Sequence, residues 1–408
     1  MLRILHINNR FNLGGPTHNV AFLARYMPPG FETLLIGGPP EGNEESSSHI
    51  LSDLGVDAMI LPEMRRAISP FKDLSAYRRV KQVIKDFRPD VVHTHAAKAG
   101  AVGRMAASEL GVKGIVHTFH GHVFHSYFGP VRTGVFKNLE RYLANKSSRI
   151  IAISDRQKAE LVDDHRICTA AKVDVIPLGI DLYKFKNDQA AKRALFRRVY
   201  GVADDEFAIG IVGRLVPVKN HALFLKGLHH VKDRSGKKIR AFIVGDGEER
   251  QFIQDRASEL GFTMAHARTF NGHSFGQDVG DKPIVPKADI TFTSWVKDID
   301  IVHAGLDAVA LTSFNEGTPV SLIEAQAAGR AIVSTRVGGI ENVVKEGVTA
   351  LLSANNNAEK FGMNLLRVVE DRNLRTRMAE AGWAHVHDRY HYTRLVEDTA
   401  KLYRALTA

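Results

Sequence analysis

The sequence predicts an α/β protein made of two doubly wound domains that face each other across a cleft. Three features lead there. At 408 residues the chain is too long for one ordinary hydrophobic core. Short β-rich runs alternate with amphipathic helical runs, the pattern of parallel strands joined by right-handed crossovers. That rhythm pauses near Ile180 to Asp205 and then starts again, which sets the domains at 1–182 and 183–387.

In the first half, "LRILHI" reads as a buried strand. The loop "NNRFNLGGP" follows it and leads to a helix expected to start near Thr17. "DVVHTH" is a strand, followed by a helix ending near Gly111. "GIVHTF" and "RIIAI" are two more strands. Ser154 then caps a helix, with Gln157 three residues on completing a capping box. In the second half "FAIGIVG", "IRAFIVG", "AVALTS" and "AIVST" are strand-like, each leading into a loop and a helix. "PPEGNEESSS" is a polar loop, and Phe262 to Asp289 reads as an inserted loop or hairpin.

Apolar content of 44% with 25% charged residues suits a soluble globular protein. The single cysteine, Cys168, excludes an intramolecular disulfide and fits a reducing, cytoplasmic setting. The N-terminal apolar run is too short for a signal peptide, and no run is long enough to span a bilayer. A net charge of +10 points to an anionic partner: a nucleic acid, a phosphorylated ligand or a membrane surface. No nucleic-acid recognition motif is present. The G-x-G-x-x-G fingerprint of a nicotinamide dehydrogenase is missing too.

In open α/β sheets, ligands sit beyond the carboxyl ends of the strands, and the unusual residues fall there. In "AVALTSFNEGTPVSLIEAQAAGRAIVST", Thr318 suits an N-cap, Pro319 the first helical position and Gly329 the residue past the end. Glu316 then lies in the loop before the helix and Glu324 inside the helix. The free N–H groups near Val320 and Ser321 form an anion site between them. A diphosphate with a sugar at one end and a ribose at the other fits that pattern. Spacing alone also allows a glutamate offsetting the helix dipole plus an exposed helical one. In "AIGIVGRLVPVKNHALFLKGL", Gly213 and Arg214 open a loop that Lys219 closes, and Asn220 caps the next helix. Two cations beside a helix start call for an anionic ligand, or else they are solvated. Asp246 and Gly247 sit in a similar turn, which reads equally as a plain one.

In the first half, Gly14 and Gly15 permit close approach of backbone to a ligand, or a plain tight turn. "HTFHGHVFH" is dense in histidine; His120 follows a strand and is expected to reach the cleft. His117, His120, His122 and His125 match no helical zinc spacing, so no metal site is assigned. Gly129 to Arg149 reads as a helix with Val135, Phe136, Leu139, Tyr142 and Leu143 on one side. Arg132, Lys137, Arg141 and Lys146 lie off that side. They form either a solvated face or a contact with an anionic bilayer.

Together these blocks resemble family 4 of the retaining glycosyltransferases. The E-x7-E hallmark is matched by Glu316 and Glu324, and the G-R-L…K element by Gly213, Arg214, Leu215 and Lys219. "RRAISPFKDL", "PDVVHTHAAKAGAVGRMAA" and "HTFHGHVF" resemble blocks of a bacterial branch that builds surface polysaccharides. The resemblance spans nearly the whole chain. It implies the GT-B fold, with two Rossmann-like domains and a final helix, about 388–408, packed back on the first. It implies that Arg214 and Lys219 hold the donor diphosphate, Glu316 the sugar hydroxyls and Glu324 the ribose. Gly317, Thr318, Pro319 and Val320 would complete the phosphate cradle. Gly15 would approach from the other domain, and His120 would lie near the reacting carbon. It implies no cofactor and no catalytic divalent metal. One departure is that Phe262 to Ser294 is longer than usual and ends in "TFTSW", where the family often has glycine before the tryptophan. That segment lies near the base-binding wall, which leaves the base open.

The expected protein is thus a cytoplasmic, membrane-peripheral transferase. It would move a sugar from a nucleotide-sugar donor, a UDP-sugar first, to a glycan acceptor on a polyprenyl diphosphate. A GDP-sugar enzyme with a soluble acceptor is the alternative within the class. A nucleic-acid-binding protein is the alternative outside it.

Overall fold

The computed structural model describes residues 1–11, 15–40, 47–65, 69–121, 130–267, 275 and 285–408. It divides into two compact units, Met1–Ile180 with Tyr390–Ala408, and Asp181–Arg389.

The first unit holds β1 (Leu2–Arg10), β2 (Phe31–Gly38), β3 (Ala58–Ile60), β4 (Val91–His95), β5 (Gly114–Phe119), β6 (Arg149–Ala152) and β7 (Val173–Val175). They form one parallel sheet in the order β3-β2-β1-β4-β5-β6-β7. Alternate residues of the strands feed opposite faces. Leu5, Ile7 and Val92 pack under the helices Pro70–Phe87 and Ala97–Glu109. Ile4, Val91 and Val116 pack on the other face against Leu395, Val396 and Tyr403 of the helix Tyr392–Thr407. That helix is tied down by Arg394, which donates to the Pro177 and Leu178 carbonyls at 2.6 and 2.9 Å. A fully buried ion pair, Arg104 to Glu140 at 2.7 Å, joins the helices Ala97–Glu109 and Pro130–Lys146.

Local signals hold in part. Ser154 Oγ accepts the Gln157 N–H at 3.1 Å, and Gln157 Oε1 accepts the Ile153 N–H at 2.8 Å. The first helix begins at Gly15 rather than near Thr17.

The second unit holds β8 (Phe207–Val212), β9 (Ile239–Val244), β10 (Met264–His266), β11 (Ile290–Ser294), β12 (Ala308–Leu311), β13 (Ala331–Thr335) and β14 (Ala350–Ser353). Its parallel sheet runs β10-β11-β9-β8-β12-β13-β14. The first sheet's order reverses once, between β1 and β4; the second's reverses between β8 and β12 and also at its edge, where β10 lies outside β11. Chain connections leave to opposite sides between β1 and β4 and between β8 and β12, so a crevice opens past the strand ends. No described helix is long and apolar enough to cross a membrane.

Candidate active site

In the second unit the switch point carries the residues that sequence singled out. The loop after β8 holds Gly213 and Arg214. It is pressed against the loop after β9: a Cβ at Gly245 would lie 2.1 Å from the Gly213 carbonyl oxygen, so only glycine fits. Leu215 N–H donates to the Asp246 carbonyl at 3.0 Å, and Glu249 N–H donates to the Leu215 carbonyl at 2.9 Å. The backbone on either side of Arg214 is therefore fixed, while its side chain stays exposed. Asp246 accepts from Arg250 at 2.7 Å and from Ser294 Oγ at 2.8 Å. Ser294 has φ +58°, a left-handed value that glycine adopts without strain. Its bond to Asp246 offsets part of the cost of carrying a side chain in that backbone conformation.

Lys219 ends a short 3-10 turn, Pro217–Lys219, stapled to the loop after β12. Thr312 Oγ1 donates to the Lys219 carbonyl at 3.0 Å, and Phe314 N–H to the Val218 carbonyl at 2.8 Å. The consequence is a contact between two predicted residues: Lys219 Nζ lies 2.6 Å from Glu316 Oε1. Both are largely buried, with side chains 19% and 11% exposed. Ser313 Oγ donates to the same carboxylate oxygen. The backbone of Glu316 is gripped in turn by the loop after β13. Gly339 N–H donates to the Glu316 carbonyl at 2.8 Å, and a Cβ on Gly339 would sit 1.6 Å from the Gly317 carbonyl oxygen. Gly245 and Gly339 had no signal of their own, because close approach of two loops is not written in either one.

The next helix is Val320–Ala327, one residue later than Thr318 as cap implies. Pro319 takes the N-cap position, and no side chain caps the helix. This corrects the capping role given to Thr318. The N–H groups of Val320 and Ser321 lack partners inside the helix. An uncapped helix start four residues past the Lys219-paired Glu316 is suited to an anion. Glu324 lies a turn further in. His303, fully buried, holds its carboxylate at 3.3 Å through Nε2. His303 was not anticipated; it sits in a helical run with no pattern pointing at Glu324. Asn220 does precede the helix His221–Lys232, but in a left-handed conformation without a side-chain cap bond.

Gly15 and His120 belong to the first unit. Gly15 starts the helix Gly15–Tyr26, where its carbonyl accepts from Asn19 at 3.0 Å. His120 follows β5 and shares a 3.0 Å hydrogen bond with His95. His117 faces the opposite side of the sheet and bonds Thr94 Oγ1 at 2.8 Å. His122 and His125 lie outside the described residues. The histidines this fold gathers are instead His6, His93 and His95, whose nearest ring nitrogens all lie within 4.8 Å of one another. Burial holds His6 neutral, pushing its pKa down to about 3, and lowers that of His120 to about 4.

On the helix Pro130–Lys146, Val135, Leu139 and Tyr142 are exposed rather than core-facing; Leu143 is buried and Phe136 packs on the core. Arg141 is already occupied, donating to the Arg166 and His165 carbonyls at 2.9 and 2.8 Å. The Arg132 side chain lies outside the described residues.

Residues 14–184 match the family model for Glycosyltransferase Family 4, and residues 206–371 match that for Glycosyl transferases group 1. Between them the two matches cover most of the chain. An Escherichia coli UDP-Gal:alpha-D-GlcNAc-diphosphoundecaprenol alpha-1,3-galactosyltransferase is 29% identical over 79% of this chain and 77% of its own. A D-inositol 3-phosphate glycosyltransferase of Kribbella flavida is 26% identical over 78% and 72%. Among solved structures, Anabaena HepE in complex with UDP superposes with a TM-score of 0.78 at 18% identity, covering 99% of this chain and 100% of that one. WaaG, a glycosyltransferase involved in lipopolysaccharide biosynthesis, gives 0.70 at 17% identity, covering 98% and 99%. The two parallel sheets, the matches in both halves and these neighbours agree: the chain belongs to the family 4 glycosyltransferases and has the GT-B fold.

Proposed function

We propose that this chain is a retaining transferase that moves a hexosyl or N-acetylhexosaminyl group from a UDP-sugar to a glycan acceptor. The acceptor is carried on a polyprenyl diphosphate, and the product enters surface polysaccharide. The observation that carries this reading is the Lys219–Glu316 pair beside the uncapped start of Val320–Ala327. A cation, two free N–H groups and a carboxylate within one small site suit a sugar diphosphate better than any single anion. The name of the E. coli relative supports the donor and the lipid-linked acceptor.

Arg214 and Lys219 neutralise the diphosphate, with amides from Gly317, Thr318 and Val320 and the turn at Pro319 and Gly213 shaping the cradle. Glu316 grips sugar hydroxyls and Glu324 the ribose. Gly15 is assigned to donor binding and His120 to the transfer step. The bond from the anomeric carbon to the diphosphate oxygen breaks, and its electron pair stays on the diphosphate. The acceptor oxygen bonds that carbon on the same face, and its proton passes to a phosphate oxygen. Preplaced positive charge stabilises the developing anion, so no divalent metal is assigned a role. The exposed Val135, Leu139 and Tyr142, with Lys137 and Lys146, rest on the anionic inner face of the membrane, while Arg141 braces the helix.

The test is a transfer assay with UDP-, GDP- and ADP-sugars and a short polyprenyl-diphosphate-linked N-acetylhexosamine, in EDTA, with the product anomer read by NMR. Transfer from a UDP-sugar with retained configuration is expected. Use of a GDP-sugar alone, an inverted linkage, or loss of activity in EDTA overturns the corresponding part. Co-sedimentation with anionic vesicles, lost in Lys137→Glu/Lys146→Glu, tests the membrane contact.

A further inference from the structure

Residues of one face alternate along each strand, so the pairing register decides which side chains meet. His6 on β1 pairs with His93 on β4, and His95 on β4 pairs with Thr118 on β5. His6, His93, His95 and Thr118 therefore share one face at the β1/β4 switch point, and His120 follows two residues after Thr118. On that face three imidazoles connect in a row. His120 Nε2 lies 3.0 Å from His95 Nδ1, and His95 Nε2 lies 3.5 Å from His6 Nδ1. His6 and His95 are 0% and 1% exposed. At the ends of the row, His6 Nε2 and His120 Nδ1 are buried with no hydrogen-bond partner among the described residues.

A neutral imidazole has one N–H and one lone pair, so the protons along such a row are not independent. Only two arrangements make both bonds. In one, His120 Nε2–H donates inward, and the row ends in an orphan N–H on buried His6. In the other, His6 Nδ1–H donates to His95, His95 Nδ1–H donates to His120, and His120 presents Nδ1–H. Each arrangement strands one N–H and one lone pair, but the second strands its N–H on His120, which is only partly buried just past β5, instead of on His6, which is 0% exposed. Orphaned buried N–H groups are the rarer defect.

We infer that His95 and His6 are positioning residues that hold His120 in the Nδ1–H tautomer, so that it offers a donor to the reacting sugar or its leaving group. This rests on the reading of His120 as part of the transfer machinery. His93 braces the row from the side. Its ring centroid lies 4.2 Å from that of His95, and its two nitrogens are bonded to Tyr403 Oη at 2.6 Å and Thr118 Oγ1 at 2.7 Å. Those two bonds also count against a metal at His6, His93 and His95, since a metal would have to displace one of them.

The test uses the full-length protein with histidine labelled in nitrogen-15, its resonances assigned by single variants. The expected spectrum shows Nδ1–H tautomers at His6, His95 and His120. His95→Leu switches the His120 tautomer and lowers kcat about tenfold or more, with UDP affinity unchanged. His95→Asn, which keeps an N–H donor near the Nδ1 position, restores most of the loss. A circular-dichroism melt of each variant confirms folding, and a variant that fails it is replaced by His6→Phe, which breaks the row at its far end. If His120→Ala leaves kcat unchanged, the role of His120 is wrong. If His120→Ala lowers kcat but His95→Leu alters neither kcat nor the His120 resonances, the row does no positioning and the inference fails alone. One equivalent of zinc retained by the native protein and lost in His6→Ala overturns it as well.

Discussion

Replacing Glu316 with glutamine separates nucleotide binding from sugar transfer. The carboxylate now sits 2.6 Å from Lys219 Nζ, in a site where both side chains are mostly buried. A phosphate oxygen bound to a second hydrogen of that ammonium, at roughly 2.8 Å, would lie about 4.4 Å from the carboxylate oxygen by tetrahedral geometry. Two negative charges at that distance repel by about 4 kcal/mol at an effective dielectric near 20. Partial exposure and counterions reduce this by about half, to on the order of 2 kcal/mol. Glutamine keeps an oxygen for Lys219 and Ser313 but carries no charge. Glu316→Gln is therefore expected to bind UDP about thirtyfold more tightly, since 1.4 kcal/mol is one decade. The same variant should lose transfer by about a hundredfold, because its grip on the sugar hydroxyls weakens in the transition state. Isothermal titration with UDP and a steady-state transfer assay read the two effects. Equal or weaker UDP binding would refute the geometry; undiminished transfer would refute the role of Glu316.

Further expectations follow from other contacts. Lys219→Ala removes a charge-assisted contact worth roughly 1.5–3 kcal/mol, so UDP affinity falls at least tenfold by the same titration. Glu140→Ala leaves Arg104 buried and unpaired, and should cost about 3–5 kcal/mol in the denaturant unfolding of the protein. His6 and His120 have folded pKa values of about 3 and about 4, below the ordinary 6.5. The unfolded chain binds their protons first. Their stabilising contribution is thus full above pH 6.5 and is lost as pH falls toward 4, at roughly 1.4 kcal/mol per pH unit for each histidine. Thermal melts across that window should show the decline, and His6→Phe should flatten it.

The parts legible in the sequence are those where one short segment carries its own signal. Strand, glycine or cation, and helix follow one another in "FAIGIVGRLVPVKNH", and the fold puts Lys219 where that order implies. Glu316 is legible for the same reason. The three-residue strands Ala58–Ile60, Val173–Val175 and Met264–His266 are too short to show a period of two. Thr318 looked like a cap because its residue type suits one, but Pro319 takes that position and no side chain caps the helix. His6, His93 and His95 look like strand filler in "LRILHI" and "DVVHTH"; only the register of three strands turns them into one row. Gly245, Gly339 and His303 act on residues far from them in the chain. A single segment contains neither partner distance nor packing.

The most direct measurement is a crystal structure of the protein with UDP bound. The expected result places the diphosphate within hydrogen-bonding distance of Lys219 Nζ and the Val320 and Ser321 N–H groups, with the Arg214 guanidinium turned toward it and the ribose on Glu324. A diphosphate seated anywhere other than past the ends of β8 and β12 would contradict the site described above.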